Sequence, residues 1–183
     1  MITGALLFPG AGAGRDTPNL VAVDDALVAA IEGIRVVRAD FPYRKQGRRA
    51  PDRAPKLIAA INDEAAAFPA DGLILGGRSM GGRMCSMAVA DGLPAAGLVL
   101  IAYPLHPPGK PERLRIEHFP DLRVPCLFVS GTRDPFGTPE ELARHTEAIP
   151  GPVTHAWVEG GRHDLKGADR AVADAVVDWA LAL

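Results

Sequence analysis

The chain has 183 residues, 48% of them hydrophobic, enough for one compact domain over residues 1–183 and too few for two of ordinary size. Its 20 basic and 22 acidic residues leave a formal charge of −2 with no long run of either sign, which argues against nucleic acid or an anionic membrane surface as the main partner. No apolar stretch is long enough to cross a bilayer, and Cys85 and Cys126 lie apart inside apolar runs, as expected of reduced thiols in a cytoplasmic protein.

In chain order, the first apolar run is ITGALLF at residues 2–8. It looks superficially like a secretory leader, but no basic residue precedes it and the run is very short, so it reads as a buried strand. A glycine-rich turn, PGAGAG, follows. Thr17 and Pro18 then read as an N-cap and first helical position, opening a helix to about Ile31. Further strands are expected in IRVVRAD (34–40), GLILGG (72–77), AGLVLIAY (96–103), PCLFVSG (125–131) and THAWVEG (154–160). A helix begins near Met80. Thr138-Pro139-Glu140-Glu141 carries a capping box for another. The last helix has Val172, Ala175, Val176, Trp179, Ala180 and Leu183 on one face, a core-facing stripe.

This alternation of strand and helix implies βαβ units and a parallel sheet. Two proline- and charge-rich segments, 41–55 and 104–123, leave the carboxyl ends of the second and fourth strands. Ligands bind at that edge of open α/β sheets, so both segments are expected on the functional face.

Residues 76–82 read Gly-Gly-Arg-Ser-Met-Gly-Gly and contain G-x-S-x-G at Gly77, Ser79 and Gly81. An apolar strand runs into the motif and a helix leaves it. A serine on such a sharp turn stands above the sheet edge in a strained conformation, and the crowding of strand against helix demands glycine on either side. A hydroxyl needs a base, and the base needs an orienting carboxylate. Asp134 follows the fifth strand in SGTRDPFGT, and His163 follows the sixth in EGGRHDL, so both fall at the edge that presents Ser79. Asp134 could equally cap its turn, and Asp164 lies beside His163, but an adjacent residue orients an imidazole poorly. The expected oxyanion donors are the N–H groups of Met80, directly after the serine, and Ala11, in the first glycine loop.

That glycine loop also invites a dinucleotide reading with Asp40 as the ribose ligand. Against it, Arg15 stands where the third glycine of G-x-G-x-x-G belongs, and Asp40 lies too far along the chain. A phosphate loop is excluded because the Gly-Lys-Ser/Thr ending is absent.

The strings FPGAGAG, GGRSMGGR, YPLHPPGKP, GTRDPFGT and GGRHDL resemble the α/β-hydrolase superfamily through nearly the whole chain. They look most like its small dienelactone-hydrolase-like branch, typified by testis-expressed-protein-type hydrolase domains. The resemblance implies a three-layer α/β/α sandwich with a mainly parallel six-stranded sheet of order 2-1-3-4-5-6. It also implies a minimal α/β-hydrolase fold that begins at the family's third strand and has no cap domain. Dienelactone hydrolases proper use a cysteine nucleophile, whereas Ser79 points to ester chemistry. Many relatives have His-Gly before the oxyanion loop where this chain has Pro9-Gly10.

The function expected is hydrolysis of a small carboxylic ester or thioester through Ser79, His163 and Asp134, with no metal or organic cofactor. The alternative is a silent interaction or binding module on the same fold. Tyr43, Arg78, Tyr103 and His106 are the expected pocket walls. The cations Arg44, Lys45, Arg48, Arg49, Arg78 and Arg83 could bind an acidic substrate, but a solvated basic loop is the plainer reading. His118, His145 and His155 have no partner that suggests chemistry.

Overall fold

The computed structural model describes residues 1–69 and 72–183. Six strands form one sheet: β1 (Gly4–Phe8), β2 (Arg35–Arg38), β3 (Leu73–Arg78), β4 (Gly97–Ile101), β5 (Cys126–Gly131) and β6 (Val153–Val158). Their order is β2-β1-β3-β4-β5-β6 and every neighbouring pair is parallel, the order the resemblance implied. The four central strands are buried residue after residue because helices cover both faces of the sheet. β2 and β6, at the edges, are only partly covered.

Helices α1 (Pro18–Ala30) and α6 (Asp169–Leu181) cover one face. Leu20, Val23, Leu27, Val172, Val176 and Trp179 pack there on Leu7, Ile74, Val99 and Val129. Successive side chains of a strand point to opposite faces, so Leu6, Phe8, Leu75, Leu100 and Phe128 face the other way. There they meet Leu57 and Ile61 of α3 (Ala54–Ala65), Met84 and Ala88 of α4 (Met80–Ala90), and Leu142 of α5 (Pro139–Thr146). A short α2 (Pro42–Lys45) lies in the segment after β2. Between β4 and β5 the described residues hold one 3-10 turn, Phe119–Asp121, and no cap domain.

The helix ends follow the sequence signals with two departures. Thr138 caps α5 in a full capping box with Glu141. Thr17 sits at the N-cap of α1, with Pro18 next, but its hydroxyl donates to the Gly14 carbonyl at 2.7 Å and accepts no N–H of the helix. The α6 stripe ends earlier than expected, since the helix stops at Leu181 and Leu183 is exposed. Cys85 and Cys126 are buried and unpaired, and burial pushes the Cys126 thiol up to about 12. Among the described residues no helix is long and apolar enough to cross a membrane.

The start of α4 packs directly on the end of β1. A Cβ at Gly81 would lie 2.3 Å from the Phe8 carbonyl oxygen and 2.6 Å from that of Pro9. Gly81→Ala should therefore cost about 3 kcal/mol of stability, because main chain cannot yield as a flexible side chain does. Gly33→Ala, at φ +76° in open space, should cost only about 1 kcal/mol of left-handed strain. Urea midpoints of the two variants measure the difference.

Candidate active site

Ser79 joins β3 to α4 at φ 50° and ψ −115°, a conformation that non-glycine residues rarely adopt. Its N–H donates to the Ile101 carbonyl of β4 at 2.8 Å, and its own carbonyl accepts from the Arg83 N–H. The main chain is thus tied on both sides of the turn. The other described non-glycine residues at positive φ are Ala102, at the end of β4, and Leu165, two residues after His163. Of the three, Ser79 lines a cleft, whereas Ala102 and Leu165 are fully buried in the core beside α1 and α6.

Asp134 sits on the turn after β5 and is 3% exposed. Its Oδ1 accepts the Phe136 N–H at 2.8 Å, so it does cap its turn. The same carboxylate also meets His163 Nδ1, at 2.8 Å from Oδ2 and 3.0 Å from Oδ1. The carboxylate therefore caps its turn and bonds the imidazole at once. His163 Nε2 lies 2.9 Å from Ser79 Oγ. The carboxylate on Nδ1 selects the tautomer in which Nε2 is free to accept the serine proton. Asp164 turns away and accepts the Lys166 N–H.

Two further contacts fix the imidazole. Phe136 stacks on it with ring centroids 3.9 Å apart. Arg78 Nη2 donates to the His163 carbonyl at 3.0 Å and so ties the histidine loop to the serine turn. The loops after β5 and β6 cross where Gly131 meets Gly161, and a Cβ on Gly131 would lie 2.2 Å from the Gly161 carbonyl oxygen. Burial lowers the Arg78 pKa, and the charges of Asp164 and Asp134 oppose that shift.

The cleft over Ser79 has a volume of about 420 Å³. Ala11 and Met80 both line it, and among the described residues neither N–H donates to a protein acceptor. Arg78 lines it as expected, together with Arg83, Pro104, Arg115 and Phe136. Tyr43, Tyr103 and His106, expected as pocket walls, do not. Tyr43 is fully buried and its hydroxyl accepts the Gly12 N–H at 3.1 Å, which braces the loop that carries Ala11. Tyr103 is 1% exposed and donates to the Arg115 carbonyl at 2.7 Å. The His106 ring lies between the Pro107 carbonyl and the Glu141 carboxylate. Each points its polar end at protein because a buried hydroxyl or imidazole needs a partner there.

The basic loop after β2 does not reach the cleft. Lys45 pairs with Glu64, and Arg48 with Asp52. Asp40 accepts the Arg15 N–H, a loop-closing role. Phe136 and Arg115 were missed by sequence reasoning. Phe136 had a signal, because it stands two residues past Asp134 and must lie near any group that aspartate orients. Arg115 had none, since the path of segment 104–123 is set by long-range bonds.

A family model described as an alpha/beta hydrolase domain matches residues 3–180. The chain belongs to the alpha/beta hydrolase family. Similar solved structures share its fold at low identity. One is a protein of the α/β superfamily from Xanthomonas campestris, with a TM-score of 0.75 at 19% identity over 99% of each chain. Another is Est1E from Butyrivibrio proteoclasticus with ferulic acid bound, at 0.79 and 16%, covering 98% of this chain and 88% of that one. A dienelactone hydrolase from Anabaena variabilis gives 0.75 at 19%, covering 99% and 87%. The family model bears out the superfamily that the sequence strings suggested, and the likenesses bear out the dienelactone-hydrolase-like fold.

Beneath the cleft, Ser86 Oγ lies 2.8 Å from both the Arg83 carbonyl and His118 Nε2. One hydroxyl proton serves both contacts only if Ser86 donates to the carbonyl and His118 Nε2–H donates to Ser86. Burial first, and the Arg83 charge second, lower the His118 pKa from 6.5 to about 4. Between those values the unfolded chain binds a proton that the folded chain refuses, so stability should fall as pH drops from about 6.5 to about 4. Urea unfolding across that range should show a shallower fall in His118→Gln. His155, whose pKa burial also lowers, leaves a residual slope.

Proposed function

We propose that this protein is a serine hydrolase that cleaves a small carboxylic ester or thioester through an acyl-enzyme. The observation that carries the reading is the unbroken chain from Ser79 Oγ to His163 Nε2 at 2.9 Å and from His163 Nδ1 to Asp134 at 2.8 Å. It is supported by the strained turn under Ser79 and by membership of a hydrolase family. Each of these residues has a structural use, but an isolated structural role would not align all three in relay order.

In this mechanism His163 takes the Ser79 proton as Oγ attacks the carbonyl carbon, and Asp134 pairs with the imidazolium. The negative charge on the carbonyl oxygen is met by the N–H groups of Ala11 and Met80, which are preorganised and free of protein acceptors. Collapse expels the alcohol or thiol, which takes the proton from His163. Water then gives a proton to His163 and its oxygen to the acyl carbon. Release of the acid returns the proton to Ser79. The open cleft, without a cap above it, suits a small or extended acyl group.

A fluorophosphonate probe, mapped by peptide mass, should label Ser79 in the native protein and no residue in Ser79→Ala or His163→Ala. Asp134→Asn should keep the fold and lower kcat on an activated ester by about three to four orders of magnitude, because it favours the wrong tautomer of His163. A folded protein that never labels would overturn this reading and return the alternative, a binding module on the hydrolase scaffold.

A further inference from the structure

Three arginines, Arg78, Arg83 and Arg115, line the cleft over Ser79, and no acidic residue shares the lining. Arginine stays charged in proteins, so the cleft carries three positive charges in a small, partly buried volume. Arg78 is engaged, donating to the His163 carbonyl. Arg83 and Arg115 are not engaged in the same way. Among the described residues neither lies within 4 Å of an acidic side chain. Glu112 and Glu117 line a second, neighbouring pocket to which Arg83 and Arg115 also contribute, but neither glutamate pairs with either arginine. Arg83 Nε is buried without an acceptor, and Arg83 makes no side-chain hydrogen bond to a described residue.

Both residues are held where they are. Arg83 stands one turn into α4, with its N–H on the Ser79 carbonyl, so its position is fixed relative to the serine. Arg115 is tied through its main chain, with its N–H on the Leu105 carbonyl and its carbonyl accepting from the Tyr103 hydroxyl. Its guanidinium makes one long contact, 3.4 Å, to the Pro104 carbonyl. Burial and then the nearby Arg83 charge lower the Arg115 pKa, which marks the two guanidiniums as mutually repelling neighbours. Two like charges, half-buried and unpaired, are costly unless something anionic joins them.

We infer that Arg83 and Arg115 form an oxyanion subsite, so that the substrate carries a carboxylate or phosphate group within reach of this pair while its ester carbonyl meets Ser79. The inference rests on the reading of Ser79 as nucleophile for its place in catalysis, though the binding of the anion can be measured without turnover. Planar guanidinium forks suit both carboxylate and phosphate oxygens, which is the recognition that lysine performs less specifically.

The test is calorimetric titration with glutarate and with inorganic phosphate, on the native protein, Arg83→Gln, Arg115→Gln and Arg83→Lys. The native protein should bind at least one anion, with affinity falling about tenfold in either glutamine variant and less in Arg83→Lys, the loss expected of one charge-assisted hydrogen bond. The tighter of the two names the anion. In parallel, the ratio of kcat/KM for the p-nitrophenyl half-ester of glutaric acid to that for p-nitrophenyl pentanoate should fall about tenfold in the glutamine variants, mainly through KM. Anion binding no tighter in the native protein than in either glutamine variant overturns the subsite. That outcome is separate from the hydrolase reading, which fails only if Ser79 does not react with the fluorophosphonate.

Discussion

The geometry of the cleft depends on main chain packing against main chain at the carboxyl edge of the sheet. A Cβ at Gly77 would lie 2.1 Å from the Phe8 carbonyl oxygen, and one at Gly81 would lie 2.3 Å from the same atom. Because neither exists, the end of β1, the serine turn and the first turn of α4 close on one another. Gly10 then lies against the Cβ of Ser79, which brings the loop bearing Ala11 over the serine. The crossing of Gly131 and Gly161 does the same for the loops after β5 and β6. Close-packed interiors transmit small displacements, so a methyl group at any of these contacts would move the atoms of Ser79 and His163 by tenths of an ångström.

Upon that frame, individual side chains have single tasks. Asp134 uses one oxygen on its own turn and still reaches the imidazole, so the rigidity of the turn is also the rigidity of the His163 ring. Phe136 covers the ring, and Arg78 holds the carbonyl behind it. An imidazole held by three contacts has little freedom left to lose, and precision of that kind is what proximity effects require.

Much of this was legible in the residues. The central strands could be read as continuous apolar runs because helices cover both faces, and the edge strand β6, with its Thr154, His155 and Trp157, could be read because one side remains half open. Ser79, Asp134 and His163 were legible because each directly follows a strand of a parallel sheet, which puts them all at one edge whatever the loops do. Tyr43, Tyr103 and His106 were misread for a definite reason. A position near that edge fixes where the Cα lies but not which way a long side chain turns. Tyrosine has an apolar ring and one polar atom, so it buries the ring and spends the hydroxyl on the nearest unpaired main-chain group. Thr17 shows the same limit at smaller scale: its position was right and its hydrogen bond was not.

The two tyrosines nevertheless mark something about how the cleft is built. Tyr43 holds the loop of Ala11, and Tyr103 holds the irregular passage that delivers Arg115. Both act one layer behind the surface that a substrate would touch, and both convert a flexible, proline-rich or glycine-rich segment into a fixed wall. The charge of the chain follows a similar logic. A net charge of −2 describes solubility and long-range encounter. It says nothing of a cleft where three guanidiniums are gathered by α4, the serine turn and segment 104–123. A small low-dielectric concavity focuses the field of the charges that line it, so three residues can outweigh the other thirty-nine charged side chains for any group that enters. What such a cleft accepts is decided by residues far apart in sequence, and only the fold brings them together.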